Sequence, residues 1–347
     1  MSFWNGLVTV LSTALVFGVL IFIHEFGHFV TARLCGVGVK EFAIGMGPKL
    51  FSWRSKKYDT VYGLRALPIG GFVSMVGEDE ESDDEAAFCN KPVWKRMMIV
   101  LAGAAMNLLL GFLLMAIIVC AQEAPLKTTT IGGFYEGATS NQYLQVDDKI
   151  VSVDGVPVFT GYDAAYEIMN QGYKPIDITV VRNGERIVLE NVVFGSFEES
   201  GAIFGNYDFA FYDEARTPLT VIKHSFFRSA STVKMVIDSV ISLATGRFGF
   251  EAVSGPVGVA GAVGDAVKGG AVSFLYLSSV LTINLGVFNL IPFPALDGGR
   301  FFFLCVEAIR KKPIKREIEG YINLIGITLL FVLMIVVMGK DIIQLFR

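Results

Sequence analysis

Four long apolar runs, roughly Leu7–Val30, Ile99–Cys120, Val272–Ile291 and Tyr321–Met338, constrain this chain more than any other feature. Each is long enough to cross a hydrocarbon core, which takes about 20 apolar residues. Backbone polar groups in lipid must be satisfied within the segment, so the runs are predicted to be transmembrane helices. Composition agrees: 53% of the 347 residues are hydrophobic and 18% are charged. A net charge of −4 provides no basic face, so nucleic acid is not an expected partner. Cys35, Cys89, Cys120 and Cys305 form neither CxxC nor a disulfide framework, and are expected to be reduced packing residues.

The first run lacks the basic start and small-residue end of a cleaved signal peptide, so it is read as a retained helix. Lys and Arg mark the cytoplasmic side. They cluster at Arg33, Lys40, Lys49, Arg54, Lys56 and Lys57 after the first run, at Lys91, Lys95 and Arg96 before the second, and at Arg310–Arg316 between the third and fourth. The segment between the second and third runs carries Asp147, Asp148, Asp154, Asp163, Glu198, Glu199, Asp213 and Glu214. These biases predict two cytoplasmic loops, with both termini and the acidic segment extracytoplasmic.

Val39–Val76 is rich in Gly, aromatic and β-branched residues, with a polar turn at Ser52–Thr60, and reads as a membrane-associated β-hairpin. Glu78–Glu85 reads as a solvated acidic loop. Residues 124–196 read as a small α/β domain. Ile150–Val153 and Ile178–Val181 alternate as strands, Asp154-Gly155 and Asn183-Gly184 signal hairpin turns, and Tyr162–Asn170 has helical spacing. Pro218–Thr245 is amphipathic, which suits a helix on the membrane surface or one packed on its own protein. The chain thus divides into 1–123 (two spans and the β-region), 124–196 (the domain), 197–270 (a juxtamembrane segment) and 271–347 (two spans).

The chemistry concentrates in His24-Glu25-Phe26-Gly27-His28. Histidines four apart stack on one helix face and can hold one Zn2+, while Glu25 stands where it can deprotonate a water activated by the ion. Ionisable groups at the end of an apolar span are costly without partners, which argues for a function. A zinc hydrolase needs a third ligand. His224, the only other histidine, lies on the amphipathic stretch and is expected at the surface. Asp297, in Asn289-Leu-Ile-Pro-Phe-Pro-Ala-Leu-Asp297-Gly-Gly-Arg, is the better candidate. Pro292 and Pro294 break the third helix there, and Asp297 also suits an N-cap for Gly298–Ile309.

His24–His28 inside the first span, with Leu296-Asp297-Gly298 after a Pro-x-Pro break, resembles the site-2 protease family, and within it the bacterial RseP type. Phe42–Pro48, Leu67–Val73 and Ser254–Gly258 resemble further family segments. The resemblance implies a polytopic α-helical membrane protein of four transmembrane helices, with a membrane-associated β-hairpin and one extracytoplasmic PDZ-like domain at 124–196. It implies that His24, His28 and Asp297 bind zinc, that Glu25 is the base, and that Asn289 helps hold substrate. It also implies a bacterial inner-membrane location and substrates that are single-pass membrane proteins, such as anti-sigma factors or signal-peptide remnants. Two positions depart from the family pattern: the second span reads Gly103-Ala104-Ala105-Met106-Asn107 where Gly-Pro is usual before the Asn, and Asp147-Asp148 stands where Gly-Asp is expected.

The expected reaction is hydrolysis of peptide bonds within substrate transmembrane segments in the bilayer. A helical substrate must first be unwound. The hairpin around Gly45, Gly47, Gly70 and Gly71 offers an edge for the resulting strand, or else plugs the membrane cavity. Two other classes compete. An inactive PDZ scaffold would be expected to have lost one of His24, Glu25, His28 or Asp297, and a zinc transporter would need several polar groups along a path.

Overall fold

A computed structural model describes residues 3–78, 80–199 and 201–345. By its internal contacts the chain forms two units, Met1–Gly111 with Ser254–Arg347, and Phe112–Val253. Among the described residues four helices are long and apolar enough to cross a membrane: Trp4–Leu34, Val93–Ala121, Ala271–Leu290 and Arg316–Gln344. The chain is a multi-pass membrane protein.

These spans belong to α1 (Phe3–Leu34), α2 (Val93–Ala121, its last turns counted with the second unit), α6 (Ala271–Leu290) and α8 (Arg316–Leu345). Small residues bring α2 and α6 together, as expected where lipid supplies no hydrophobic drive. A Cβ on Gly111 would lie 2.4 Å from Ile283, and one on Gly286 would lie 3.1 Å from the Ala104 carbonyl. Ser279 and Thr282 hydroxyls donate to the Gly111 and Asn107 carbonyls at 3.0 and 3.1 Å. Leu11, Leu15 and Val19 on α1, and Phe331, Leu333 and Ile335 on α8, stay exposed, as suits lipid-facing positions.

The expected hairpin is present as β1 (Val39–Arg54) and β2 (Val61–Met75). Both strands bend. Glu41–Ile44 therefore pairs with Ser74–Gly71 on one side and with Val61–Leu64 on the other, while Phe51–Arg54 pairs with Leu64–Val61. Gly45, Gly47 and Gly70 sit at φ 83° to 85°, a backbone that L side chains rarely adopt. Their need for glycine is thus met first by the bends. Phe42, Val73 and Met75 from the hairpin pack with Ala32, Cys35 and Ile99 in a buried cluster. The acidic loop is exposed at Glu80, Glu81 and Asp83–Glu85, but Glu78 is drawn inward, contrary to the solvated loop expected there.

After α6 the prolines break the helix, and α7 (Asp297–Arg310) folds back against its end. A Cβ on Gly298 would lie 2.2 Å from the Ile291 carbonyl, and one on Gly299 would lie 2.3 Å from that of Phe293. Ala295 is held at φ 75°, and its N–H donates to Asn323 Oδ1 on α8 at 3.2 Å. α5 (Pro256–Lys268) is fixed where Gly258 N–H donates to Asp341 on α8 at 2.8 Å.

The second unit holds a sheet in the order β10-β3-β4-β6-β7, with β5 on β4. Its strands are β3 (Leu126–Phe134), β4 (Lys149–Val153), β5 (Val156–Pro157), β6 (Ile176–Arg182), β7 (Glu185–Val192) and β10 (Phe209–Glu214). α3 (Gly161–Gln171) contributes Ala164 and Ile168 to the core, alongside Ile131, Ile150, Ile178 and Phe209. Both turns form as expected, with Asp154-Gly155 and Asn183-Gly184 at positive φ. Asp147 takes φ 72°, the conformation a glycine would supply, and Asp is among the residues that tolerate it. Asp148 is fully buried and receives the Arg182 guanidinium at 2.7 Å through both oxygens.

The boundary expected at 196 falls too early. The hairpin of β8 (Gly195–Glu199) and β9 (Ala202–Asn206) follows, and β10 then closes the sheet with core residues Phe209 and Phe211. The amphipathic stretch packs on its own protein along one face and leaves Leu219, Ile222, Phe226, Ile237 and Ile241 exposed on the other. α4 (Pro218–Ala244) lies against α3, with Tyr166 donating to Asp238 at 2.8 Å and Phe159 stacked on Phe227 at 4.2 Å. His224 is accordingly buried, not at the surface, with Nε2 2.6 Å from Glu214.

Candidate metal centre

The i, i+4 spacing places His24 and His28 on one face of α1, as expected. α2 passes very close to that face. A Cβ on Gly27 would lie 2.4 Å from the Ala102 carbonyl, and one on Gly103 would lie 2.4 Å from His28 Nε2. From the other side, the fold-back of α7 delivers Asp297. Its expected N-cap role is not seen: Leu296 is the N-cap, and Asp297 is the first helical residue, with its carboxylate turned to the imidazoles.

The three ligand atoms form a nearly equilateral triangle. His24 Nε2 is 3.1 Å from Asp297 Oδ2, His28 Nε2 is 3.3 Å from it, and the two Nε2 atoms are 3.2 Å apart. Donors at zinc's ~2.0–2.1 Å and tetrahedral angles lie about 3.3 Å apart, so the triangle fits one face of such a site. The protonation pattern fits as well. The Ile99 carbonyl can only accept, so His28 Nδ1, 2.8 Å away, carries the proton and Nε2 turns a lone pair inward. The fully buried Asn107 amide lies 3.3 Å from His24 Nδ1, while its Oδ1 has no partner. Exchanging its O and N by a half-turn lets Oδ1 accept from Nδ1–H and frees His24 Nε2 in the same way. Asp297 Oδ2 also lacks a hydrogen-bond donor despite its burial. With both imidazoles in these tautomers, three ligand atoms converge at the spacing that suits a cation at their centre. Among the described residues this is the one cluster of His, Cys, Asp or Glu with metal-ligand spacing.

A cavity of about 410 Å³ opens on this triangle, lined by His24, Glu25, His28, Phe72–Met75, Asp297 and Arg300 among others. Gly71 packs against α1, where a Cβ would meet Glu25 Cγ at 3.2 Å. Gly45, Gly47, Gly70, Gly71 and Asn289 do not line the cavity; Asn289 is half-buried in the last turn of α6. The family resemblance leaves the role of Asn107 open, and sequence pattern gives none to Gly103. The available signal was the small-residue run Ala102–Ala105 opposite Gly27, which marks close helix approach.

Paired histidines, a converging carboxylate and a neighbouring Glu, set among helices long enough to span a membrane, are the arrangement of a membrane-embedded metallopeptidase. Comparison with known proteins agrees. The profile of peptidase family M50 matches residues 12–333. The chain is 30% identical to the zinc metalloprotease RasP of Bacillus licheniformis, over 97% of this chain and 99% of the relative. It is 29% identical to the regulator of sigma-W protease RasP of Bacillus subtilis, with the same coverage. A Clostridium acetobutylicum relative, whose name also carries the words zinc metalloprotease, is 36% identical over 99% of this chain and 98% of its own length. The chain belongs to peptidase family M50, the site-2 proteases.

Proposed function

We propose that the chain is an intramembrane zinc metallopeptidase in which His24, His28 and Asp297 hold the ion and Glu25 is the general base. The observation that carries this is the triangle of His24 Nε2, His28 Nε2 and Asp297 Oδ2, 3.1–3.3 Å apart, the spacing of ligand atoms around one zinc ion. Bound there, zinc supplies Lewis-acid polarisation of a carbonyl and a water acidic near neutral pH. Asn107 and the Ile99 carbonyl hold the imidazoles with their lone pairs inward. Glu25, beside the triangle and lining the cavity, takes the proton from the attacking water and returns it to the departing amine.

The substrate strand pairs with the edge of β2. Phe72–Met75 lines the cavity and is laddered on one side only, to β1, among the described residues. The other side offers its backbone to an unwound transmembrane segment. Asn289 is proposed to hold the substrate backbone. Gly71 lets the edge lie against Glu25, while Gly45, Gly47 and Gly70 set the bends that shape it. The sheet module is PDZ-like and extracytoplasmic, as are both termini, and it admits only substrates already trimmed on that side. Anti-sigma factors and signal-peptide remnants in the bacterial inner membrane are the proposed substrates. The name of the Bacillus subtilis relative, a regulator of sigma-W protease, points to the first.

The test is cleavage of a model transmembrane substrate by purified protein, with Gly71→Pro and a module deletion alongside. Wild type should cut inside the apolar segment. Gly71→Pro should lower turnover while zinc content holds. Deletion should admit substrates with longer outer portions. Cutting only outside the apolar segment would contradict the reading, and loss of all cleavage in a folded deletion would remove the filter.

A further inference from the structure

A single carboxylate links the free edge of β2 to the helix that carries Asp297. Glu78 lies three residues beyond the end of β2, and its Oε2 accepts from the N–H of Met75, the last residue of that strand, at 3.2 Å. Its Oε1 takes the Arg300 guanidinium. Arg300 is three residues after Asp297 in α7, so both lie on one helix face. Both ends of this link line the catalytic cavity with His24, Glu25, His28 and Asp297. Both also line a second cavity, of about 780 Å³, whose walls include Arg96, Glu307 and Lys315. There Arg96 on α2 grips Glu307, two turns further along α7, at 3.0 Å and through a second, shorter bond. α7 is therefore anchored to α2 by one ion pair and to the substrate-side strand by the other. The proton and metal roles proposed above use neither Glu78 nor Arg300.

We propose that Glu78 and Arg300 form a positioning strut. It fixes the separation and register of the Phe72–Met75 edge relative to Asp297, and so selects which peptide bond of a strand-paired substrate reaches the metal. This rests on the peptidase reading above. Strands advance about 3.3 Å per residue, and a slip of one residue turns every side chain to the other face. A strut that tolerates little play is therefore needed for a single cut site. An ion pair with a further backbone bond provides it, because Arg presents its donors in a rigid fork.

The test compares Glu78→Gln, Arg300→Met, the double variant and Arg300→Lys with wild type. Zinc content, kcat, KM and cut position by mass spectrometry are read on one model transmembrane substrate. Each charge-removing variant should keep its zinc and lose about tenfold to a hundredfold in kcat. Each should also add cuts at neighbouring bonds. The double variant should be no worse than the poorer single one, as expected of two residues in one contact. Arg300→Lys should recover the single cut site in part. Normal kcat with one cut site in both single variants would overturn the proposal, and so would additive losses. Zinc lost together with activity would overturn it too, by making the pair a support of the metal centre. A wild-type protein that binds no zinc would instead sink the peptidase reading, and this proposal with it.

Discussion

The two units of this chain are held together by opposite means. The sheet module Leu126–Glu214 closes on an apolar core, with Ile131, Ile150, Ile178 and Phe209 fully buried and polar turns at Asp154-Gly155 and Asn183-Gly184. The membrane unit leaves Leu11, Leu15, Val19, Phe331, Leu333 and Ile335 outward and places Gly27, Gly103, Gly111 and Gly286 where helices touch. In water the apolar residues drive assembly by burial; in lipid they cannot, so close approach and hydrogen bonds take over. Ser279 and Thr282 are buried polar groups of that second kind, whereas His24, His28 and Asp297 converge on one point and are the groups proposed for chemistry.

That contrast can be broken by substitution, and the largest effect is expected in the membrane unit. Glu25→Gln should lower cleavage about 10²- to 10⁴-fold, the range for removing a general base, and leave zinc content and module unfolding unchanged. Turnover within a factor of a few of wild type would remove Glu25 from the chemistry. The counterpart in the module is Asp148→Ala, which strips the partner from Arg182 in a pair whose carboxylate is fully buried. It should cost about 3 kcal/mol of module stability and spare the zinc, read by thermal unfolding and metal analysis.

Asn107→Ala tests whether a buried amide in the membrane unit serves the site. Loss of the partner that orients a metal-bound histidine costs about 10–100-fold in metal affinity, so zinc should be retained less well against a chelator, with the helices still folded. Unchanged zinc retention would mean that His24 is oriented without it.

The smallest effect sharpens the module side. Burial pushes the Glu214 carboxyl up, but hydrogen bonds from His224 and Lys223 outweigh it and hold the group below the ordinary carboxylate range. Because the folded pKa is the lower one, this contribution is complete above the unfolded pKa and fades as pH falls through the folded one. Module stability should thus fall less on acidification in Glu214→Gln than in wild type, by under about 1 kcal/mol for a partly exposed group. Parallel pH profiles would assign the acid sensitivity to other carboxylates.

The sequence exposed what has a period or a spacing. The four spans, the hairpin, the alternating strands around Ile150 and Ile178, and the His24–His28 pair all follow from local pattern. Asp297 was within reach because two prolines and two glycines surround it, and the structure shows what they do: the glycines let α7 fold back on the end of α6. Contacts between distant elements left no such trace. His224 reads as a surface residue until β10 brings Glu214 to it, and Glu78 reads as one of a run of acids until α7 brings Arg300. The module's end was misplaced because β10 pairs with β3, some 80 residues earlier, and no local pattern records that pairing.

The central claim is that His24, His28 and Asp297 together hold one zinc ion. Metal analysis of purified wild-type protein beside Asp297→Ala tests it most directly. The account predicts one zinc per wild-type chain and a large loss of zinc in Asp297→Ala with the helices still folded. Full zinc occupancy in Asp297→Ala would contradict it, because the triangle would then not be the site.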